Sequence, residues 1–151
     1  MADKSFNIRL AGIELIEKSM ALPPQSPVDG SNYNFNFSVD LKIGPEEKVG
    51  IVLTDVTIVS EVNEVKKEVG KFKTVMGFEL PDFHKIIKRI DDNIYDVPVE
   101  LEIILKSAGI STIRGVIFSE LRGTYLQSIV LPLIDIATLI QKQRAEIVKQ
   151  K

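Results

Sequence analysis

The sequence predicts an α+β fold: a four-stranded antiparallel meander sheet, then a long helix, an extended crossover and a C-terminal helix. Three observations carry the α+β prediction. Apolar residues alternate with polar ones through the first half of the chain, turn residues interrupt that half at short intervals, and the spacing changes to three and four residues after Pro81-Asp82. Strands with one apolar and one polar side belong to antiparallel sheets covered on one face, and strands followed by helices give the α+β order.

The first strand begins with Phe6, Ile8 and Leu10 on one parity. Ile13 and Leu15 continue on the other after Ala11-Gly12, which predicts a bulge there. Pro23-Pro24, Pro27 and Asp29-Gly30 mark a loop. The clearest strand follows: Tyr33, Phe35, Phe37, Val39, Leu41 and Ile43 share one side and Asn34, Asn36, Ser38, Asp40 and Lys42 the other. Gly44-Pro45-Glu46-Glu47 turns the chain into a β-branched third strand, Val49 to Val59, and Asn63-Glu64 is the next hairpin. In the fourth strand Phe72, Thr74, Met76 and Phe78 share a face, and Gly70 permits a bulge. Short successive connections make a meander the simplest topology.

Phe83, Ile86, Ile87 and Ile90 are spaced as the apolar stripe of a short amphipathic helix, two or three turns long, ended by Asp91-Asp92-Asn93. Val97 to Leu121 carries both periods: Val99, Leu101 and Ile103 suit a strand, and Leu101, Ile104, Leu105, Ala108 and Thr112 a helix. Length favours the helix, with Pro98 in its first turn. Arg122 to Leu131 reads as a connector closed by Pro132. The last helix starts near Leu133 to Asp135 with Ile136, Ile140 and Ile147 on one side, and its mixed-charge end projects into water.

A chain of 151 residues with 44% apolar residues can bury a core as a single domain, 1–151, with a small extra helical segment near 81–97. Lys and Arg number 19 against 21 Asp and Glu, so a net charge of -2 offers no general attraction for nucleic acid. The apolar run Ile129 to Ile140 contains Pro132 and Asp135 and falls short of the ~20 residues of a membrane span. No stable membrane insertion and a cytoplasmic location are the expectation. The lack of cysteine excludes disulfides and thiolate chemistry.

No catalytic equipment or cofactor site is visible. His84 is the only histidine and has no companions for a metal site or a nucleophile-base pair. Asp91-Asp92 and Glu46-Glu47 are adjacent carboxylates at turns, and Asp55 interrupts an apolar strand that is half exposed. The expectation is a non-enzyme that acts through surfaces. Val52, Val56 and Ile58 lie on one parity of the third strand, and Ile51, Leu53 and Val59 on the other. This surplus predicts either a bulge or a second face covered by a partner.

At Arg122-Gly123-Thr124-Tyr125, within RGTYLQSIVLP ending at Pro132, the chain resembles the SecB family of protein-export chaperones. That family has an Arg-Gly-Thr-aromatic run at the end of its long helix and a proline at the same spacing before its final helix. Arg122, Gly123, Thr124 and Pro132 form the structural signature. Gly123 suits a left-handed helix end, and Arg122 the negative end of the helix.

The resemblance implies a homotetramer, a dimer of dimers, that holds unfolded or partly folded polypeptides without ATP in apolar grooves between sheet, crossover and helices. It places Tyr125, Leu126, Ile129 and Leu131 in the client groove, with Phe72 and Phe78 next. Family members are distinctly acidic where they dock the export motor ATPase; the balanced charge here and the tail QKQRAEIVKQK argue against that docking. Pro81 to Val97 also departs from the compact family pattern. The chain resembles divergent members that serve as chaperones of antitoxins more than a housekeeping export factor. The alternative is an assembly or adaptor protein that binds one folded partner.

Overall fold

The computed structural model describes residues 5–21 and 32–149. The loop expected at Pro23-Pro24, Pro27 and Asp29-Gly30 lies outside the described residues. Four strands, β1 (Arg9–Met20), β2 (Asn32–Gly44), β3 (Val49–Val62) and β4 (Val65–Glu79), form one antiparallel sheet in the order β1-β4-β3-β2. The meander therefore holds for β2-β3-β4, while β1 joins beside β4, which is a Greek-key order. The reason lies in connection length. Tight turns at 45–48 and 63–64 oblige their strands to pair, whereas the eleven residues between Met20 and Asn32 impose no such neighbour. Such a segment can span up to about 36 Å, and three strand spacings need only about 14 Å.

The predicted bulge at Ala11-Gly12 is present as a register shift between Leu10 and Gly12, with a second between Leu15 and Glu17. The bulge near Gly70 is also present, as the shift that leaves Val69 between the pairs Ile58↔Gly70 and Val59↔Glu68. Asn63 and Glu64 turn β3 into β4 with φ of 49° and 65°. Both central residues are left-handed, as a two-residue hairpin matching strand twist requires. Asn tolerates this backbone and Glu does not. Glu64→Gly should therefore raise stability by about 1 kcal/mol, visible as a higher Tm in a thermal melt.

The segment after β4 corrects the predicted helix. Only one turn forms, α1 (Phe83–Ile86), and the chain then makes a hairpin of β5 (Lys88–Asp91) and β6 (Ile94–Asp96). Phe83 and Ile87 are buried as the helical spacing expects, but Ile90 is 68% exposed. A helix this short scarcely recovers its nucleation cost. Asp92-Asn93, with Asn93 at φ 64°, supplies a hairpin turn instead.

Over 97–121 helix prevails as α2 (Val99–Leu121), with Pro98 just before its first turn. After the crossover, α3 (Ile136–Lys149) buries Ile136 and Ile140 but leaves Ile147 61% exposed.

α2 lies over β2, β3 and β4 and divides the core in two. One cluster gathers Val52, Phe78, Leu80, Leu101, Leu105 and Ile140. The other gathers Val56, Ile58, Phe72, Ile113, Ile117, Leu121, Leu126 and Leu131. Between them Thr54 and Thr74 pair across β3 and β4, fully buried, and their hydroxyls find no partner among the described residues. Gly109 of α2 rests on this waist. A Cβ there would stand 2.7 Å from both Thr54 Oγ1 and Val52 Cγ1.

The surplus of apolar strand residues divides accordingly. Val52, Val56 and Ile58 face α2 and are fully buried, while on the opposite face of β3 and β4 Lys73 pairs with Asp55 at 3.6 Å. On β1 the apolar residues stay open: Leu10 is 54% exposed, Ile13 51% and Ile16 46%.

Candidate functional site

Four signature residues shape the exit from α2. Gly123 takes φ +81°, a region a side chain rarely adopts, and reverses the chain at the helix end. Arg122 is the extended C-cap, its N–H directed to the Ser119 carbonyl. Thr124 ties the turn together: its hydroxyl donates to the Leu121 carbonyl at 2.7 Å and accepts from the Leu126 N–H at 3.1 Å. Pro132, exposed, offers its carbonyl to Arg114 Nη2 at 3.0 Å, which pins the far end of the crossover to α2. Asp135 then opens α3. Its carboxylate accepts from the Thr138 N–H at 3.2 Å and the Thr138 hydroxyl at 2.6 Å, and these bonds hold it below the usual carboxylate range.

Between these fixed ends the crossover crosses the β2 side of the sheet. Phe72, Leu126 and Leu131 are at most 2% exposed and form a buried floor. Tyr125 and Ile129 pack on that floor half-buried, beside Tyr33 and Phe35 of β2. Burial pushes the Tyr125 phenol up, with Tyr33 adding to the shift. Val130 and Leu133 project further, at 61% and 91% exposure. A cleft of about 310 Å³ separates this strip from Ile117 and Phe118 of α2.

Five of the six groove residues expected from the sequence, Phe72, Tyr125, Leu126, Ile129 and Leu131, thus meet in one cluster. Phe78 belongs to the other cluster, at the opposite end of the sheet. Phe72, Phe78, Leu126 and Leu131 are core in the single chain, so the outward surface falls to Tyr125 and Ile129. Sequence reading missed their neighbours. Tyr33 and Phe35 carried only a strand signal, Val130 lay in a connector without periodicity, and Leu133 stood at the expected start of the last helix.

At the other end of β2 a polar cluster joins α2 to α3. Lys106, 4% exposed, contacts Glu102 Oε1 at 2.7 Å and donates to Gln143 Oε1 at 3.0 Å. Arg144 Nη2 donates to Glu102 Oε2 at 2.7 Å and to the Val97 carbonyl at 3.0 Å. Burial pushes the Glu102 carboxyl up, but the bonds from Lys106 and Arg144 outweigh it and hold the group below the usual carboxylate range. Placing a lysine here escaped the sequence reading, because nothing local marks one lysine of an apolar helix as buried.

His84 is exposed on α1, its ring edge-on to Phe83. Among the described residues no three His, Asp or Glu side chains converge to hold a metal. No described helix is long and apolar enough to cross a membrane.

No protein-family model matches the chain, and no curated protein matches it by sequence. Among solved structures it is similar to a SecB-like chaperone of Mycobacterium tuberculosis, in complex with a ChAD peptide from the HigA1 antitoxin. The TM-score is 0.61 with 15% identity, over 85% of this chain and 91% of that one. The fold, a four-stranded antiparallel sheet followed by a long and a C-terminal helix, is SecB-like.

Proposed function

We propose that this protein is an ATP-independent holding chaperone that takes apolar segments of unfolded or partly folded polypeptides on the crossover surface. The observation that carries the reading is an apolar strip on a rigid base. Tyr33, Phe35, Tyr125 and Ile129 present half-buried faces, Val130 is exposed beside Ile129, Leu133 is exposed two residues past Leu131, and Phe72, Leu126 and Leu131 form the buried cluster behind them. Such a surface excludes water without demanding particular client side chains. The peptide bound to the mycobacterial chaperone supports a polypeptide as ligand, and an antitoxin as the kind of dedicated client to test first.

A homo-oligomer, arranged as a dimer of dimers, belongs to the same reading. α2 is apolar on its outer side as well: Ile104 is 46% and Phe118 59% exposed, and Leu10 and Ile13 of β1 are also uncovered. Isolated apolar residues on a surface are ordinary, but these lie on α2, whose other side is packed on the sheet, and on β1, which is exposed along most of its length.

The test is dilution of a chemically denatured model protein with stoichiometric chaperone and no ATP, followed by light scattering. Wild type should suppress scattering. Val130→Asp with Leu133→Asp should reduce that suppression at least about tenfold in effective concentration, since each buries a charge against the client. Equal suppression by the double variant, or none by wild type, overturns the reading. Sedimentation of the same samples checks the oligomer; a 16.9 kDa monomer at micromolar concentration contradicts it.

A further inference from the structure

The cleft between α2 and the crossover differs in charge from the rest of the surface. Ser111, Arg114 and Gly115 begin its α2 wall, and Ile117 and Phe118 continue it. Ile129, Val130 and Leu131 form the facing wall. Among the described residues Arg114 is the only charged group in this lining. Three other clefts carry both signs: Asp40 lies with Lys42 in two of them, and Lys85 with Glu100 in the third.

Arg114 has donors to spare. A guanidinium carries five N–H groups in a rigid fork, and one is spent on the Pro132 carbonyl. Its Nε is closed to solvent and meets no acceptor among the described residues. Nor does any described Asp or Glu stand within ion-pair distance of the guanidinium. Buried donors in proteins nearly always find a partner, and a partly buried cation without a counter-charge is costly. Apolar walls that raise this cost also strengthen any ion pair formed between them.

These features choose the occupant. A phosphate wants several donors and gains nothing from Ile117, Phe118 and Val130. An uncharged apolar molecule leaves the guanidinium unanswered. A polypeptide segment needs more room, since about 310 Å³ stands at the lower end of small-molecule pockets. A carboxylate matches the arginine fork, and a short alkyl tail matches the walls. From Ser111 to Phe118 the cleft follows α2 for about 10 Å, which accommodates octanoate in extended form.

We propose that this cleft binds a medium-chain fatty carboxylate, with its carboxylate on Arg114 and its tail between Ile117 and Phe118 of α2 and Ile129 and Val130 of the crossover. The site stands on the chemistry of the cleft and is independent of the chaperone reading.

Calorimetric titration of the full-length protein with sodium octanoate is the test, with 1-octanol and octylamine as uncharged and cationic controls. Octanoate should bind saturably, one per chain, and at least about tenfold more tightly than either control, the worth of one charge-assisted pair. Arg114→Gln should bring octanoate down to the level of octanol, and Arg114→Lys, which keeps the charge without the fork, should fall between. Because Arg114 also ties the crossover to α2, Gly115→Leu provides a second route. Nothing lies within 4 Å of a Cβ at 115, so the new side chain enters the cleft and leaves the core alone. It should weaken octanoate at least about tenfold with the far-ultraviolet circular dichroism unchanged. Equal binding of octanol and octanoate, or octanoate binding indifferent to Gly115→Leu, overturns the proposal. So does a wild type that binds no octanoate, and Gly115→Leu then tells what covers the cleft instead. A shift to smaller species on sedimentation identifies a second copy of the chain, and lost suppression of aggregation identifies the client.

Discussion

Glu102→Gln should lower stability at pH 7 by about 3 kcal/mol, or roughly 10 °C in Tm, although glutamine keeps the size and shape of the side chain. Glu102 is the single anion between two cations, with Lys106 Nζ and Arg144 Nη2 both at 2.7 Å. The Lys106 side chain is 5% exposed and that of Glu102 14%, so water screens their pairing little. With the carboxylate gone, Lys106 becomes a buried charge with only an amide for company. Arg144, at 43% exposure, can rehydrate, and this keeps the cost at the lower end for a broken buried pair. Glu102→Leu combined with Lys106→Met should recover most of the loss, since apolar replacement of a whole buried pair is close to neutral. If the single variant melts like wild type, the cluster does not hold the second half of α3 in place.

The same group predicts a pH dependence. Glu102 titrates below its ordinary value in the folded chain, so its contribution is fully present above the unfolded value of about 4.3 and is lost as pH falls through the lower folded value. Asp135, also lowered, adds a loss of the same sign. The wild-type Tm should therefore fall more steeply than that of Glu102→Gln as the solution is acidified below about pH 4.3, and the two curves should converge.

How much of this was legible in the sequence depends on whether a feature is local. Period-two alternation placed β2 and β4, Asn63-Glu64 the hairpin, and Gly123 the reversal after α2, because each is written in adjacent residues. The place of β1 beside β4 was not, since a long connection leaves the choice of neighbour to tertiary packing. The segment 81–97 failed for a related reason. Phe83 and Ile87 satisfied the helical period, but so brief a pattern cannot outweigh Asp92-Asn93 as a hairpin turn. At the crossover, the Arg-Gly-Thr motif marked where α2 ends and the crossover begins. Only the fold could separate Leu126 and Leu131, which form the floor, from Ile129, Val130 and Leu133, which face outward.

Gly109→Val should cost about 3 kcal/mol, and the reason joins the core to the proposed client surface. The first atom of any side chain at 109 would stand 2.7 Å from Thr54 Oγ1 and from Val52 Cγ1. Both obstacles are β-branched residues on the central strand β3, stiff about χ1 and without room to turn away, so α2 itself must lift. Lifting it loosens both core clusters, because Leu105 serves one and Ile113 the other. Gly115 provides the contrast on the same helix. Nothing lies within 4 Å of a Cβ there, so Gly115→Ala should stabilise by up to about 1 kcal/mol through helix propensity alone. A denaturant series on Gly109→Ala, Val52→Ala and the pair measures the contact directly: the double variant should be more stable than the sum of the singles predicts, by about 1 kcal/mol or more. Additive losses would mean that α2 does not rest on β3 at this point. Because the crossover leaves α2 at Gly123 and is tied back to it through Arg114, a displaced α2 carries the crossover with it. Gly109→Val should therefore hold clients less well even at temperatures where it remains folded.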